Sequence, residues 1–226
     1  MENVKDIDGN SYKTVKIGNQ IWMAENLKVT RYRNDDEILN ITNNDSWGNI
    51  GLGGYCDYEN NPSNSETYGR LYNWYAVNDE SGLAPEGWHV PTIKEFNELE
   101  MFLGMSASDT KIMGMTKTRG TNEGSKLASK ELWVEGKLIQ NDEIGMSGFK
   151  ALPAGFRVSR WGSSDMGDFA ALTYHAYFWT SDNYVDPFIG KDYPDKIRIL
   201  LDAYSSTVYL YFADMLQGCS VRCIKD

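Results

Sequence analysis

The chain has 226 residues, 41% hydrophobic and 13% aromatic, enough to bury a sizeable core and too apolar for a disordered segment. Its 32 acidic and 22 basic side chains leave a net charge of −10, which opposes binding to nucleic-acid phosphates and to anionic membrane surfaces. No apolar run reaches transmembrane length, and the start "MENVKDIDGN" lacks the basic and apolar stretches of a signal peptide, so the protein is either not exported or read here as a mature form.

In chain order, "DIDGNSYKTVKIGNQIWMAENLKVT" reads as antiparallel strands. Asp8-Gly9 and Gly18-Asn19 supply the turns, and Tyr12, Val15 and Ile17 sit on strand-like stretches. "DIDGN" lacks the later ligands and closing Glu of a calcium loop, so a turn is the better reading. Residues 34–69 are rich in Asn, Asp, Ser and Gly and read as long surface loops; the "GLGG" within them lacks the Gly-Lys-Ser/Thr of a phosphate cradle. "YGRLYNWYAVND" reads as a short helix or buried strand with Leu71, Trp74 and Tyr75 inward.

"GWHVPTIKEFNELEMFLG", residues 87–104, is a strand running into a helix. Thr92 and Glu95 fit a capping box, Pro91 and Phe96 a hydrophobic staple, and Gly104 a C-terminal stop. Phe96, Leu99, Phe102 and Leu103 are assigned to the buried face, and Glu95, Glu98 and Glu100 to a cap, a solvated face and the helix dipole. Residues 105–148 read as a loop-rich insert with weak helical pieces, and "GFKALPAGFR" as a compact buried stretch. "HAYFWTSDNY", "KIRILLDAY", "TVYLYFAD" and "CSVRCIKD" are four closing strands. No repeat or linker divides the chain, so residues 1–226 are taken as one domain.

Chemistry has few candidates. Of the two histidines, His89 reads as packed and hydrogen-bonded, His175 as exposed or in contact with a ligand. Cys219 and Cys223 on one strand would stand about 13 Å apart, too far to share an ion. With Cys56 they allow one bridge and a free thiol, or three thiols. No zincin, nucleophile-elbow or P-loop motif is present, so no catalytic residue, metal site or cofactor is assigned. The 14 Tyr and 7 Trp, against 8 Phe, fit either an aromatic β-core or a binding face.

"DIDGNSYKTVKIGNQIWMAENLKVTRY", "YGRLYNWYAV", "APEGWHVPTIKEFNELEMFLG", "GSKLASKELW", "SGFKALPAGFRV", "FWTSDNY" and "GCSVRCIKD" occur in an order that resembles the Fibrobacter succinogenes major paralogous (FISUMP) domain family. "VPTIKEF" and "FWTSDNY" also look like segments of formylglycine-generating-enzyme domains. The resemblance implies an α+β, C-type-lectin-like fold: twisted antiparallel sheets, two helices and long ordered loops. It further implies a non-enzymatic ligand-binding or adhesion module, extracellular or at a cell surface, on a lipoprotein or phage particle. The implied partner is a protein or glycan, with no nucleic acid and no membrane insertion; the rival is an enzyme acting on carbohydrate or sulfatase.

The resemblance breaks at particular residues. Ala84 stands where the family usually has Cys, leaving the pairing of Cys56 and Cys223 open, and Cys219 replaces a Phe. "VYLYFADMLQG", residues 208–218, is apolar where a hydrated surface is expected. It is either a core strand or an adaptable binding face, of the kind diversity-generating retroelements vary in proteins of this fold. The implied ligand-binding residues are Tyr177, Asn183, Tyr184, Tyr193, Tyr204, Tyr209, Tyr211, Phe212 and Asp214.

Overall fold

The computed structural model describes residues 2–114, 119–159, 167–185 and 192–226; the side chains of residues 184, 185, 192–195 and 211 lie outside the described set. The chain runs β1 (Val4–Lys5), β2 (Ser11–Tyr12), β3 (Thr14–Ile17), β4 (Gln20–Met23), β5 (Leu39–Asn40), α1 (Asn44–Trp47), β6 (Gly54–Cys56), α2 (Pro62–Tyr68), β7 (Leu71–Tyr72), α3 (Trp74–Val77), β8 (Trp88–His89) and α4 (Ile93–Phe102). It continues through α5 (Glu123–Leu127), β9 (Ala154–Arg157), β10 (Phe169–Leu172), β11 (His175–Val185), β12 (Asp192–Asp202), β13 (Tyr209–Ala213) and β14 (Ile224–Lys225). The class is α+β, with five α-helical segments among the described residues where two were expected.

The largest sheet has the order β10-β9-β11-β12-β13, and a four-stranded sheet has the order β3-β4-β14-β8. Among the described strands, pairings are antiparallel except β5 with β6 and a single bridge of β11 with β9; isolated parallel bridges also join Ala128 to Ala151 and Phe178 to Ser220. Ile224 pairs with Trp22, so the end of the chain is stitched into its opening hairpin. That hairpin turns at Gly18, whose φ of +60° favours glycine. The Asp8-Gly9 turn forms too: Asp6 accepts from Asn10 and Tyr12, while Asp8 accepts from Thr30 and Arg31.

The expected strand over 219–226 is a correction. Only Ile224–Lys225 is strand; Cys219 and Ser220 make isolated bridges to Tyr72 and Phe178. This segment passes between sheets, and both of its cysteines are buried and free, as is Cys56. "YGRLYNWYAVND" divides into strand β7 and helix α3; Leu71 and Trp74 are buried and Tyr75 half-buried.

Irregular chain leaves many carbonyls without ladder partners, and buried arginines supply donors. Arg157 donates to the carbonyls of Gly167, Ile41 and Thr42 and to Asn44 Oδ1, with its guanidinium 4.6 Å from the Trp47 ring centroid. Arg222 does the same for the carbonyls of Met23 and Phe149 and for Asn26 Oδ1. The "GFR" and "SVR" stretches therefore act as internal clamps.

Helix α4 begins as expected, with the reciprocal Thr92–Glu95 capping box. Its faces are a second correction. Phe96, Leu99 and Glu100 are buried, whereas Phe102 is 65% exposed. At about 100° per residue, Glu100 lies about 40° from Phe96 around the axis and Phe102 about 120° away. Glu100 enters the core because Arg119 Nη2 donates to it and to Asn97 Oδ1. Losing either charge would strand the other, at about 3–5 kcal/mol.

Candidate functional site: the outer face of the C-terminal sheet

Alternation along β12 builds two unlike faces. Ile197, Ile199 and Leu201 are buried with Phe178, Val208 and Leu210 in a mixed aliphatic and aromatic core that continues to α4 through Phe96 and Leu99. Lys196, Arg198 and Leu200 therefore fall on the other side, since successive side chains in a strand point to opposite faces. The register places Tyr177 against Leu200 and Leu200 against Tyr209, then Arg198 against Trp179 and Tyr211. Opposed residues share a face, so Tyr177, Trp179, Arg198, Leu200 and Tyr209 lie on one side of the sheet.

Arg198 lies at the centre of this outer face. Its guanidinium is 4.0 Å from the Tyr177 ring centroid and 5.7 Å from that of Phe156, and Nη1 donates to Cys219 Sγ at 3.7 Å. Next along the strand, Lys196 Nζ stands 4.2 Å from the Trp74 ring centroid and donates to Asn183 Oδ1 at 2.8 Å. Phe156, Tyr209 and Met215, each half-buried, pack beside these groups. Burial of cations against aromatic faces strengthens each contact, because the ring quadrupole acts in a medium that screens it poorly.

The lower end carries His175. The Tyr177 hydroxyl is 3.0 Å from His175 Nδ1, and Asp202 Oδ1 is 3.9 Å from His175 Nε2. Burial holds the His175 imidazole below its ordinary pKa, with Asp202 pulling up and Arg198 pushing down. The ring is neutral at neutral pH. His89 shifts the other way. Burial lowers it, but hydrogen bonds with Asp226 and Glu95 outweigh burial and raise it. His89 is thus packed and hydrogen-bonded at the start of α4, as expected.

The upper end is shaped by a bulge in β11 between Trp179 and Asn183. There Thr180 Oγ1 donates to the Ile197 carbonyl, and Asp182 accepts from the Ile93 amide at the first residue of α4. The bulge leaves Asn183 exposed beside Lys196.

The nine residues expected to bind ligand separate into distinct places. Tyr209 is half-buried on the outer face, Asn183 exposed at its upper end, and Asp214 half-buried just beyond β13. Tyr177 is only 3% exposed and forms the floor of the face rather than a free contact. Phe212 pairs with Ile197 and so lies on the opposite, core-facing side of the sheet. Within "VYLYFADMLQG", Val208 and Leu210 are core residues, so part of that stretch is apolar for packing. Tyr204 is exposed but belongs to the far end of the sheet, two residues beyond Asp202, which itself lies about 20 Å along β12 from Lys196. The side chains of Tyr184, Tyr193 and Tyr211 lie outside the described residues. Sequence reasoning missed Lys196, Arg198, Trp74 and Phe156. The signal for the first two was present, as the strict alternation of "KIRIL".

The thiols are poor nucleophiles. Burial pushes Cys56 and Cys223 up to about 12 and Cys219 up to about 11. Among the described residues no group of three His, Cys, Asp or Glu is placed to hold a metal ion, and no helix is long and apolar enough to cross a membrane. A cavity of about 260 Å³ opens elsewhere, between Lys5, Arg31, Arg33 and Glu86, and another of about 490 Å³ beside Phe102 and Met146.

Compared with known proteins, residues 15–225 match the family described as the Fibrobacter succinogenes major domain. No curated protein and no solved structure matches the chain.

Proposed function

The chain belongs to the Fibrobacter succinogenes major domain family, and from that premise we propose that it is a non-enzymatic ligand-binding or adhesion module with a C-type-lectin-like fold. It works at a bacterial or phage surface and binds a protein or glycan on a cell or host. The binding face is the outer side of β11–β13 with the loop ends around it.

The observation that carries this reading is the set of aromatic and cationic side chains on rigid strands around Arg198. Phe156 and Tyr209 stand half-buried there, over Tyr177, Arg198 and Lys196. Rigid amphipathic rings give contact area at low entropic cost, and the buried cations hold Trp74 and Tyr177 in place beneath them. The neutral His175 and the protonated thiols support binding over nucleophilic chemistry. The sharper form of the proposal is that a diversity-generating retroelement varies codons of the last segment, including those of Asn183, Tyr209, Tyr211 and Asp214.

A glycan and protein array probed with wild type and a Tyr209→Ala/Tyr211→Ala double variant tests the face. Wild type is expected to capture a ligand that the double variant binds more than about tenfold more weakly, about 1.4 kcal/mol. Equal capture by both would overturn the assignment. The coding DNA tests the sharper form: a near-repeat of the last segment beside a reverse transcriptase gene, differing at template adenines, is expected. Its absence removes diversification and leaves the adhesion reading.

A further inference from the structure

The lower end of the sheet carries a feature that neither the core nor the Arg198 cluster uses. Tyr174 and Tyr204 are 41% and 57% exposed, and their ring centroids stand 6.1 Å apart at an interplanar angle of 49°. They are neighbours because β10 turns into β11 through Thr173-Tyr174, while β12 ends at Asp202 and turns back through Ala203-Tyr204. The Ala203 amide donates to the Tyr174 carbonyl at 2.9 Å, joining the two turns directly.

Both turns are held firmly. The Tyr204 amide donates to Asp202 Oδ1 at 2.9 Å, and the Ser205 amide to the Asp202 carbonyl at 3.0 Å. On the Tyr174 side, Ala171 and Thr173 have φ of +60° and +68°. For a β-branched residue such as Thr173 that region is strained, and strain of this kind persists where the surrounding structure imposes it. The imposing segment is residues 134–138. The Val134 amide donates to the Thr173 carbonyl and the Leu138 amide to the Ala203 carbonyl, each at 3.0 Å. Gly136 lies so close that a Cβ there would fall 2.2 Å from the Ala203 carbonyl oxygen and 3.2 Å from Tyr204 Cδ1. One strap of chain thus braces both tyrosines from below, with their rings left open to solvent.

Beside the rings lies a pair of polar groups with spare hydrogen-bonding capacity. A carboxylate can accept about four hydrogen bonds, and Asp202 Oδ1 takes one from the Tyr204 amide. His175, its Nδ1 engaged by the Tyr177 hydroxyl and its Nε2 3.9 Å from Asp202, has Nε2 as its open ring nitrogen. Both side chains are about a quarter exposed.

We propose that Tyr174, Tyr204, Asp202 and His175 form a binding site for a pyranose ring of a neutral glycan. The inference deepens the ligand-binding reading of the C-terminal segment and rests on it. A pyranose has one face of C–H bonds and an edge of hydroxyls. The electron-rich faces of the tyrosine rings attract the C–H hydrogens. One hydroxyl on the edge donates to the Asp202 carboxylate, and an adjacent one hydrogen-bonds to His175 Nε2. Because both turns are braced and the rings already rest against each other, less ordering is needed on binding. An acidic sugar is disfavoured by Asp202 itself and by the net charge of −10.

Isothermal titration of the whole chain tests this, with the neutral hexasaccharides of β-1,4-linked glucose, xylose and mannose, an oligogalacturonate, and decaproline as an alternative ring-bearing ligand. Saturable binding of at least one neutral hexasaccharide is expected. Tyr204→Ala and Asp202→Asn should each weaken it more than tenfold, Tyr204→Phe should preserve it, and Phe102→Ala on the far exposed patch should leave it unchanged. The site is overturned if no neutral hexasaccharide binds, if oligogalacturonate or decaproline binds in their place, or if Tyr204→Ala binds as wild type does. Tyr209→Ala is titrated alongside on an array-identified ligand. Loss of that ligand in Tyr209→Ala, with no saccharide bound by wild type, sinks the glycan site and leaves the outer face standing.

Discussion

The two faces of β12 differ in what they demand of a side chain. On the inner face, Ile197, Ile199 and Leu201 are held by shape and volume in a close-packed apolar core with Phe178, Phe96 and Trp22. On the outer face, Lys196 and Arg198 are 7% and 5% exposed, and they lean on Trp74, Tyr177 and Phe156. Desolvating two cations is costly, and hydrophobic residues of similar volume would stabilise a sheet face at least as well. The outer face is nevertheless a second core, where Tyr177, Trp179 and Leu200 are buried with Trp74 and Cys219 around those cations. The inner core is built without buried cations among Ile197, Ile199 and Leu201.

Mutations can break or sharpen that contrast. The largest effect is expected from Ile199→Ala, which opens a cavity in the inner core and should cost about 2–5 kcal/mol, read as a lower urea midpoint at unchanged slope. Arg198→Met keeps much of the buried stem and loses the cation–ring contacts, and should cost about 1–2 kcal/mol in the same assay. If it costs as much as Ile199→Ala, the cation–ring contacts carry as much stability as the apolar packing of the inner face.

The histidines give a smaller effect with opposite signs. The folded pKa of His175 is depressed, so the unfolded chain binds more protons as pH falls below the unfolded value of about 6.5. Stability associated with neutral His175 is present above that pH and lost as pH falls toward the folded value. His175→Asn should remove this loss, so its stability should fall less than wild type's between pH 7 and pH 5. The folded pKa of His89 is raised, so its contribution is complete below about pH 6.5 and lost as pH rises through the folded value. The gap between wild type and His89→Gln in melting temperature should narrow from pH 6 to pH 9. Gaps of the same sign and pH trend at both positions would contradict the opposed environments.

The smallest effect is expected at Phe102, which belongs to neither face of the sheet. It is 65% exposed, and Phe102→Ser should change stability by about 0.5 kcal/mol or less. A loss as large as that of Ile199→Ala would mean that Phe102 packs as the sequence periodicity first suggested.

Local chemistry was legible in the sequence wherever neighbouring residues carried all of the information. The turns at Asp8-Gly9 and Gly18-Asn19, the Thr92–Glu95 cap of α4 and the three strands from His175 to Ala213 could be read directly, because turn, cap and alternation are short-range rules. The order of motifs carried the family. Tertiary structure decided which face each element buries. Glu100 goes inward and Phe102 outward because a buried partner, Arg119, lies nineteen residues away in sequence. The expected ligand residues separated for a similar reason: a period of two put Phe212 behind the sheet, and register put Tyr177 beneath Arg198. Tyr174 and Tyr204 meet only because two turns thirty residues apart are braced by one strap around Gly136. Pairing across such distances depends on how strands stack and on which carbonyls need donors, and no local pattern in a single chain encodes that.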